Sequence, residues 1–323
     1  MMNNNPLASI IIPTYQRTAL LRNLLKSLSV QRTSNKFEVI VVNDGSDPDL
    51  GTIEAEFISI SASLVCLGEN RGRAFARNEG VRKSKGEIII FVDDDMTVNQ
   101  GFVEAHLALH EAPEDVVIGD VLSPPEYKSH PLARYVERQG IHKLGRTEKI
   151  PPKCVRTGNV SVSRYLFDKA GRFSEAIWKY GEDLDLGMKL GYAGANFKFA
   201  AGAVSYHHHP PEIEDMIAKM QEYGRYTVPL LARNHPELKR TIKIHIAEPL
   251  SLGRESPLLS LEKIGLRLIL VPPFYRLALG LYTQKWLGSL LYPVVDYIRA
   301  YNYIRAYWQT VKEQGDRDLP AGG

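Results

Sequence analysis

The sequence predicts an α/β fold, in which a mostly parallel β-sheet is covered by helices on both faces and is followed by a helical C-terminal region. Apolar runs typical of buried strands recur through the first third of the chain. Segments with helical spacing of apolar residues alternate with them, and the chain looks helical from about residue 211 to its end. Continuous apolar strands that alternate with helices are typical of parallel sheets buried on both faces.

The predicted elements follow one another closely up to about residue 92. An apolar run at residues 9–12, ended by a proline, predicts a strand, and leucines at helical spacing in residues 20–28 predict a helix. Residues 39–42 predict a second strand, which the turn cluster 43–46 closes. We then expect a helix at 53–60, a strand at 64–67, a helix at 73–83 and a strand at 88–92.

Beyond this region the periodicity weakens, and five prolines between about residues 115 and 210 predict long loops: Pro124, Pro125, Pro131, Pro151 and Pro152. A soft boundary near residue 211 separates a first domain, 1–210, from a helical region, 211–323.

Composition and net charge argue against three classes of protein: nucleic-acid-binding, disulfide-rich and membrane-spanning. A net charge of +3 over 323 residues is too small to indicate nucleic-acid binding, so no nucleic-acid partner is expected. Two cysteines, Cys66 and Cys154, do not make a disulfide framework, which favours the reducing cytoplasm. No uncharged stretch approaches the roughly 20 residues that span a bilayer.

Three aspartates follow the predicted strand at 88–92. If the strand continued, Asp93 and Asp95 would point to the same side, because strand side chains alternate, with Asp94 between them. Carboxylate oxygens suit Mg²⁺ or Mn²⁺, and such an ion can neutralise a diphosphate as it leaves. A solvated acidic turn explains the same triplet about equally well.

A second acidic motif opens a predicted helix. Glu182 and Asp183 precede apolar residues at helical spacing, which places both acids in the first turn. A helix N-terminus favours ionised carboxylates, and a general base must be ionised to accept a proton. The alternative is that the acids only complement the helix dipole.

Histidines and arginines form two further clusters. Residues 207–209 are all histidine, and in an extended segment His207 and His209 share a face from which a metal site can be completed. Arg73 and Arg77 share a face at the start of a helix, where basic groups attract phosphate. A polar loop and a solvated basic face are the alternatives.

Four residues are candidates for an acceptor site. Gly158 and Asn159 lie in a glycine turn flanked by small polar residues, and the rings of Trp178 and Tyr180 can stack on a sugar. Both aromatic residues are equally well explained as core residues.

Taken together and in this order, the motifs resemble the family-2 glycosyltransferases from about residue 8 to residue 209. The resemblance implies a GT-A catalytic domain over residues 1–210, with nucleotide-sugar binding in about 1–120 and the acceptor side in about 121–210. It also implies six donor-binding positions outside the acidic triplet: Pro13, Thr14, Tyr15, Arg17, Asp44 and Arg77. Among these, Asp44 would read the nucleotide base and Arg77 would lie near it.

The same resemblance assigns roles in the chemistry. Asp95 would ligate a divalent metal, Asp93 or Asp94 would approach the ribose or the metal, and His207 would match the usual histidine. Asp183 would be the base of an inverting transfer from a nucleotide diphosphate sugar. The acceptor would be a hydroxyl of a glycan, a lipid-linked glycan or a small molecule. A UDP-sugar, with a hexose as the transferred group, is the first choice of donor, because the Asp44 carboxylate can accept a hydrogen bond from uracil N3–H. Thymine offers the same N–H, so a thymidine diphosphate sugar is the alternative.

Two other functions remain open at this point. A metal-dependent nucleotidyltransferase or phosphohydrolase would use the same acidic site, and a non-catalytic module would bind nucleotide sugar without turnover.

The C-terminal region carries a separate pattern. Residues 264–311 are rich in apolar and aromatic residues, and five of these form one helical stripe: Tyr297, Tyr301, Ile304, Trp308 and Val311. Basic residues interrupt the segment, which suits the surface of an anionic membrane and a peripheral position at its cytoplasmic face. Packing on the catalytic core or on a second subunit, which would form a homodimer, explains the stripe equally well.

Overall fold

The computed structural model describes residues 5–45, 50–138, 141, 149–208, 212–247 and 256–317. The chain divides into two compact units, Met1–Pro210 and Pro211–Gly323.

The first unit is built on a mixed sheet. Its strands in the described part of the chain are β1 (Ala8–Thr14), β2 (Phe37–Asp44), β3 (Ala62–Leu67), β4 (Ile88–Phe91), β5 (Met96–Val98), β6 (Asp115–Leu122), β7 (Val160–Ser163) and β8 (Asn196–His207). They lie in the order β3-β2-β1-β4-β7-β6-β8-β5. The β1–β2, β1–β4, β2–β3 and β6–β8 pairs are parallel, whereas β4–β7, β6–β7 and β5–β8 are antiparallel.

Helices cover both faces of this sheet, as the sequence predicts. They are α1 (Thr18–Leu28), α2 (Ile53–Glu56), α3 (Arg73–Lys83), α4 (Phe102–Leu107), α5 (Pro131–Arg138), α6 (Arg164–Lys169) and α7 (Glu182–Tyr192). In β1, Ile10 and Ile12 pack with α1, α2 and α4, while Ile11 packs with α3, α6 and α7 on the other face. The strand is continuously apolar because both of its faces are buried.

The region between residues 115 and 210 differs from the expectation of long loops. It contains β6, β7 and β8, and β8 is the longest strand described. The prolines do lie outside the strands, since two of them begin the 3-10 helices Pro125–Tyr127 and Pro152–Cys154. Several β8 residues are exposed, and this irregular burial gives β8 neither a continuous apolar run nor a clean alternation in sequence.

The described part of the second unit is helical, as predicted. Its helices are α8 (Ile213–Glu222), α9 (Val228–Asn234), α10 (Leu238–Thr241), α11 (Pro257–Ile269), α12 (Pro272–Tyr282) and α13 (Leu291–Arg317). In the described residues, no single helix is long and apolar enough to cross a membrane. The α11–α12 pair meets that test jointly, with a bend of 63° between the two helices.

Candidate active site

Polar side chains gather where β1, β2 and β4 end, because parallel strands bring their carboxyl ends to one edge of the sheet. Thr14 is the last residue of β1, Asp44 is the last of β2, and the aspartate triplet begins two residues after β4. The hydroxyl of Thr14 donates a 2.7 Å hydrogen bond to Asp94. Pro13 is buried within β1, whereas Tyr15 is exposed just beyond it.

The three aspartates do not continue the strand, since β4 ends at Phe91 and the chain turns at Asp94 and Asp95. The premise that Asp93 and Asp95 lie on one side of a strand is therefore wrong. Asp94 and Asp95 both contact the guanidinium of Arg17, at 3.3 and 2.6 Å. Burial raises the pKa of Asp94 to about 6, against the opposing effects of Thr14 and Arg17.

Arg77 takes a different position from the one that the resemblance implies. Its side chain is fully buried and joins two acidic motifs that are 89 residues apart in sequence: it donates to Asp93 at 2.6 Å and to Glu182 at 2.8 Å. A guanidinium can serve two carboxylates at once because its donors point in several directions. Arg77 is thus placed to organise the acidic groups, and its buried side chain has no surface to offer to a nucleotide base.

The acidic pair at the start of α7 splits into a buried and an accessible carboxylate. Glu182 is 3% exposed and also lies 3.8 Å from Arg73. The Asp183 side chain is 25% exposed and lies 3.9 Å from the guanidinium of Arg156. Its Oδ1 accepts a hydrogen bond from the backbone N–H of Leu184. Of the pair, Asp183 is the one with room for a substrate proton.

His207 ends β8 beside the triplet. Its Nε2 lies 3.4 Å from Asp95 Oδ2, while His208 points the other way, to Thr97 at 2.7 Å. This alternation agrees with an extended segment. His209 lies outside the described residues.

Asp95 and His207 supply oxygen and nitrogen donors of the kind that Mn²⁺ binds, so the residue types fit a divalent ion. The described residues contain no group of three or more such side chains arranged to hold a metal ion.

Asp44 holds the loop that leads into α3. Its carboxylate accepts hydrogen bonds from the backbone N–H of Arg71 at 2.7 Å and of Gly72 at 2.9 Å. Gly72 has a φ of 84°, and a Cβ there would lie 2.4 Å from the carbonyl oxygen of Trp178. Only glycine fits both the backbone conformation and the space.

A cavity of about 340 Å³ adjoins the acidic groups. Its polar lining includes both predicted and unpredicted residues: Arg73, Asp93, Arg156, Thr157, Gly158, Tyr180, Glu182, Asp183 and His207. The apolar lining is Met96, Ile118, Val121, Val136, Ile141 and Cys154. One cavity therefore combines acids, two arginines and an apolar wall.

The predicted acceptor residues separate into two groups. Gly158 and Tyr180 line the cavity, and the guanidinium carbon of Arg73 lies 5.4 Å from the centre of the Tyr180 ring. Trp178 is half exposed but outside the lining, and Asn159 is fully buried. The Asn159 side chain donates to the carbonyls of Asp120 and Ala203, so it belongs to the interior of the sheet.

Sequence reasoning missed the apolar wall and Arg156 as parts of the site. The wall residues come from β5, β6, α5 and the loops around them, and nothing in their local pattern marks them as neighbours. A basic residue two positions before a glycine turn was the only available signal for Arg156.

The fold and this acidic, arginine-rich cavity at the strand ends define a GT-A glycosyltransferase. The chain belongs to glycosyl transferase family 2, whose family model matches residues 9–170. It is 28% identical over 256 residues to YfnE of Bacillus subtilis (strain 168), described as an uncharacterized glycosyltransferase, with 63% of this chain and 65% of YfnE covered. The chain spans 25% of the length of another relative, a hyaluronan synthase of Pasteurella multocida, which is 29% identical over 64% of this chain.

Solved structures share the fold at low sequence identity. The mannosyltransferase PcManGT from Pyrobaculum calidifontis, in complex with GDP-Man and Mn²⁺, is 17% identical with a TM-score of 0.55, covering 93% of this chain and 88% of that one. GalNAc-T7 with UDP, GalNAc and Mn²⁺ is 16% identical with a TM-score of 0.50, covering 65% and 45%.

Proposed function

We propose that this glycosyltransferase moves a hexose from a UDP-sugar to a hydroxyl acceptor by a single displacement that inverts the anomeric configuration. The observation that carries the proposal is the difference in exposure and ion pairing between the two acids of α7. Both acids line the cavity, but the Asp183 side chain is 25% exposed, whereas Glu182 is 3% exposed and is held by Arg77 and Arg73. Asp93 also lines the cavity but pairs with Arg77 at 2.6 Å, so Asp183 is the partly exposed carboxylate to which we assign the proton.

In the proposed reaction, the acceptor hydroxyl gives its proton to the Asp183 carboxylate as its oxygen attacks the anomeric carbon. A new C–O bond forms on one face of the sugar while the bond to the diphosphate breaks on the other, and the electron pair leaves with the diphosphate. Arg77 keeps Glu182 and Asp93 in place, and Arg73 adds positive charge beside them.

Asp95 and His207 are the proposed ligands of a divalent ion, with Asp93 or Asp94 nearby and His209 as a further candidate. When bound, Mn²⁺ or Mg²⁺ would neutralise charge on the departing diphosphate. Mn²⁺ in the complexes of PcManGT and GalNAc-T7 supports this assignment.

The donor is proposed to be a UDP-sugar bound near Thr14, Tyr15, Arg17 and Asp44. Each carboxylate oxygen of Asp44 already accepts one backbone hydrogen bond and has a second lone pair for a base N–H. GalNAc-T7 was solved with UDP, whereas PcManGT was solved with GDP-Man, so GDP-mannose is the donor to test next.

The acceptor side is proposed to be the wall of the cavity around Gly158 and Tyr180. A sugar ring offers hydroxyls to the arginines and acids and an apolar face to Tyr180. A glycan, a lipid-linked glycan or a small molecule would satisfy this chemistry, and a cytoplasmic position would give access to nucleotide sugars.

Incubation with a panel of nucleotide sugars tests the proposal, with Mn²⁺, Mg²⁺ or a chelator present. We expect metal-dependent release of UDP together with free or transferred sugar. Release of UMP and sugar phosphate would instead identify a nucleotidyltransferase or phosphohydrolase. Donor binding without any turnover would identify a binding module, and full activity in chelator would refute the metal.

A further inference from the structure

Helix α11 exposes apolar residues and buries polar ones, which is the reverse of the usual arrangement in a soluble protein. Its large apolar residues Leu258, Leu261 and Leu268 are 78%, 65% and 66% exposed. Its polar residues Ser260 and Lys263 are buried on the opposite face. A surface helix of a globular protein normally buries its apolar stripe and exposes its polar one.

The same arrangement continues through α12. This helix packs inward through Ala278 and Tyr275, whose ring stacks on Tyr301 of α13 at 4.1 Å. Its larger aliphatic and aromatic side chains, Phe274 and Leu277 among them, remain exposed. The short 3-10 helix that follows, Lys285–Leu290, presents Trp286 at 81% exposure.

These exposed apolar side chains follow one another along consecutive elements, and we name the set the outer apolar surface: Leu258, Leu261, Ile264, Leu268, Ile269, Phe274, Leu277, Leu281, Trp286 and Leu290. A concentration of exposed apolar side chains on neighbouring helices is typical of a membrane or protein interface. The charge of the residues around the outer apolar surface distinguishes a membrane interface from a protein interface.

The segment that carries the outer apolar surface is basic. Over residues 257–290, four basic residues, Lys263, Arg267, Arg276 and Lys285, accompany a single acid, Glu262. Lys263 is buried and Arg267 is half-buried, so these two add positive charge beneath the surface and do not contact a headgroup themselves. Arg276 is exposed between two residues of the surface. A twofold contact with a second copy would place the same basic segment opposite itself, whereas anionic lipid headgroups supply the opposite charge.

We propose that the outer apolar surface docks on a bilayer that contains anionic lipids. Leucine and phenylalanine side chains enter the acyl boundary, Trp286 lies at the headgroup level, and the exposed Arg276 meets lipid phosphates. The 63° bend between α11 and α12 suits helices that lie along the surface.

Sedimentation of the full chain with vesicles tests this proposal. Vesicles of phosphatidylcholine alone are compared with vesicles that also contain phosphatidylglycerol. We expect binding to the anionic vesicles, weakened by salt, and a loss of at least about tenfold in Leu261→Glu/Leu268→Glu, because two exposed leucines no longer enter the acyl boundary. Ile58→Glu, at a residue of the first unit with 78% exposure, is the matched control and should bind normally.

Thermal unfolding verifies that the double variant folds. We expect it to fold, because both leucines are exposed and their replacement disturbs no buried packing. Three results would overturn the proposal. The wild type could remain in the supernatant with both vesicles, or the double variant could bind as well as the wild type. The wild type could also resist extraction at alkaline pH, which would indicate integral insertion. A dimer that the double substitution dissociates, without vesicle binding, would show that a second copy covers the surface.

Discussion

Arg77 brings one positive charge into the interior of the first unit, between the carboxylates of Asp93 and Glu182. A buried ion pair adds little net stability, but removal of one partner leaves the other charge buried without compensation. This asymmetry makes Arg77 the side chain on which the arrangement of the acidic site depends.

We predict that Arg77→Met lowers the free energy of unfolding by about 3–5 kcal/mol, because Glu182 loses its closest cation while remaining buried. Urea unfolding measures the loss. Arg172→Met is the control, since Arg172 pairs with Asp168 on the surface and should contribute less than about 1 kcal/mol. The double variant Arg77→Met/Glu182→Leu should recover part of the loss. Equal losses in the single and double variants would contradict the assignment.

We also predict that Asp183 is needed for transfer but not for donor binding. Asp183→Asn keeps the size of the side chain but cannot accept the proton, so transfer should fall by about 10²–10⁴-fold while the dissociation constant of the donor stays nearly unchanged. Steady-state rates and donor titration measure both quantities. Asp168→Asn, at an exposed carboxylate of α6, should change neither.

A loss of less than about tenfold in Asp183→Asn would remove it as the base. If Glu182→Gln abolished transfer without loss of stability while Asp183→Asn did not, Glu182 would be the base instead.

The loop that leads into α3 is held between the end of β2 and the segment that precedes α7. Asp44 at the end of β2 binds the N–H groups of Arg71 and Gly72, and Gly72 packs directly against the backbone of Trp178. The loop is therefore fixed from both sides.

We predict that Gly72→Ala destabilises the protein by about 1–3 kcal/mol, because alanine must adopt a left-handed φ and its Cβ meets a carbonyl oxygen. UDP binding should weaken as well, since the loop and Asp44 shift together. Thermal unfolding and UDP titration measure the two effects. Gly68→Ala is the matched control, because a Cβ at Gly68 meets no atom within 4 Å. If the two variants unfolded at the same temperature, the packing argument would be wrong.

Helix α4 is fastened to the sheet by a buried polar network. His106 contacts Ser161 through Nδ1 and Asn159 through Nε2, both at 2.9 Å, and His110 contacts the same Ser161 hydroxyl at 2.8 Å. Asn159 uses its amide N–H groups elsewhere, so its oxygen accepts from His106 Nε2–H, which leaves Nδ1 as an acceptor. A proton on Nδ1 would remove the acceptor of the hydrogen bond that the Ser161 hydroxyl donates.

Burial lowers the pKa of His106 from about 6.5 to about 3. Between these values the unfolded chain binds a proton that the folded protein does not, so stability falls as pH decreases below about 6.5. We predict that His106 alone contributes about 2 kcal/mol of lost stability between pH 7.5 and pH 5. In His106→Gln, urea unfolding at both pH values should show a correspondingly smaller difference. An unchanged difference would contradict the buried neutral histidine.

The sequence predicted the elements that repeat a simple physical pattern and missed those that do not. Residues 9–12 and 39–42 were recognisable as strands because both faces of β1 and β2 are buried. The sequence does not indicate β8 because this strand is partly exposed and lacks a regular apolar pattern. Asn159 is buried and does not line the acceptor side, because a glycine turn does not determine the direction in which the neighbouring side chain points. The position of Arg77 depended on α7, more than 100 residues later in the chain.

At the scale of the whole molecule, the candidate site is assembled from motifs spread between Thr14 and His207. Each motif alone has a plain structural explanation, and the parallel strands provide the reason why they converge. Convergence distinguishes a site from a set of acidic turns, because the ion pairs of Arg17 and Arg77 join segments that are far apart in sequence.

The proposed reaction is a single displacement in which one carboxylate, Asp183, accepts the proton. Water can replace the unknown acceptor, so slow hydrolysis of the donor reports the stereochemistry directly. Proton NMR that follows early hydrolysis of an α-linked UDP-sugar in Mn²⁺ would identify the first anomer released. We expect the β-anomer to appear first and to equilibrate later, whereas initial release of the α-anomer would rule out a single inverting displacement.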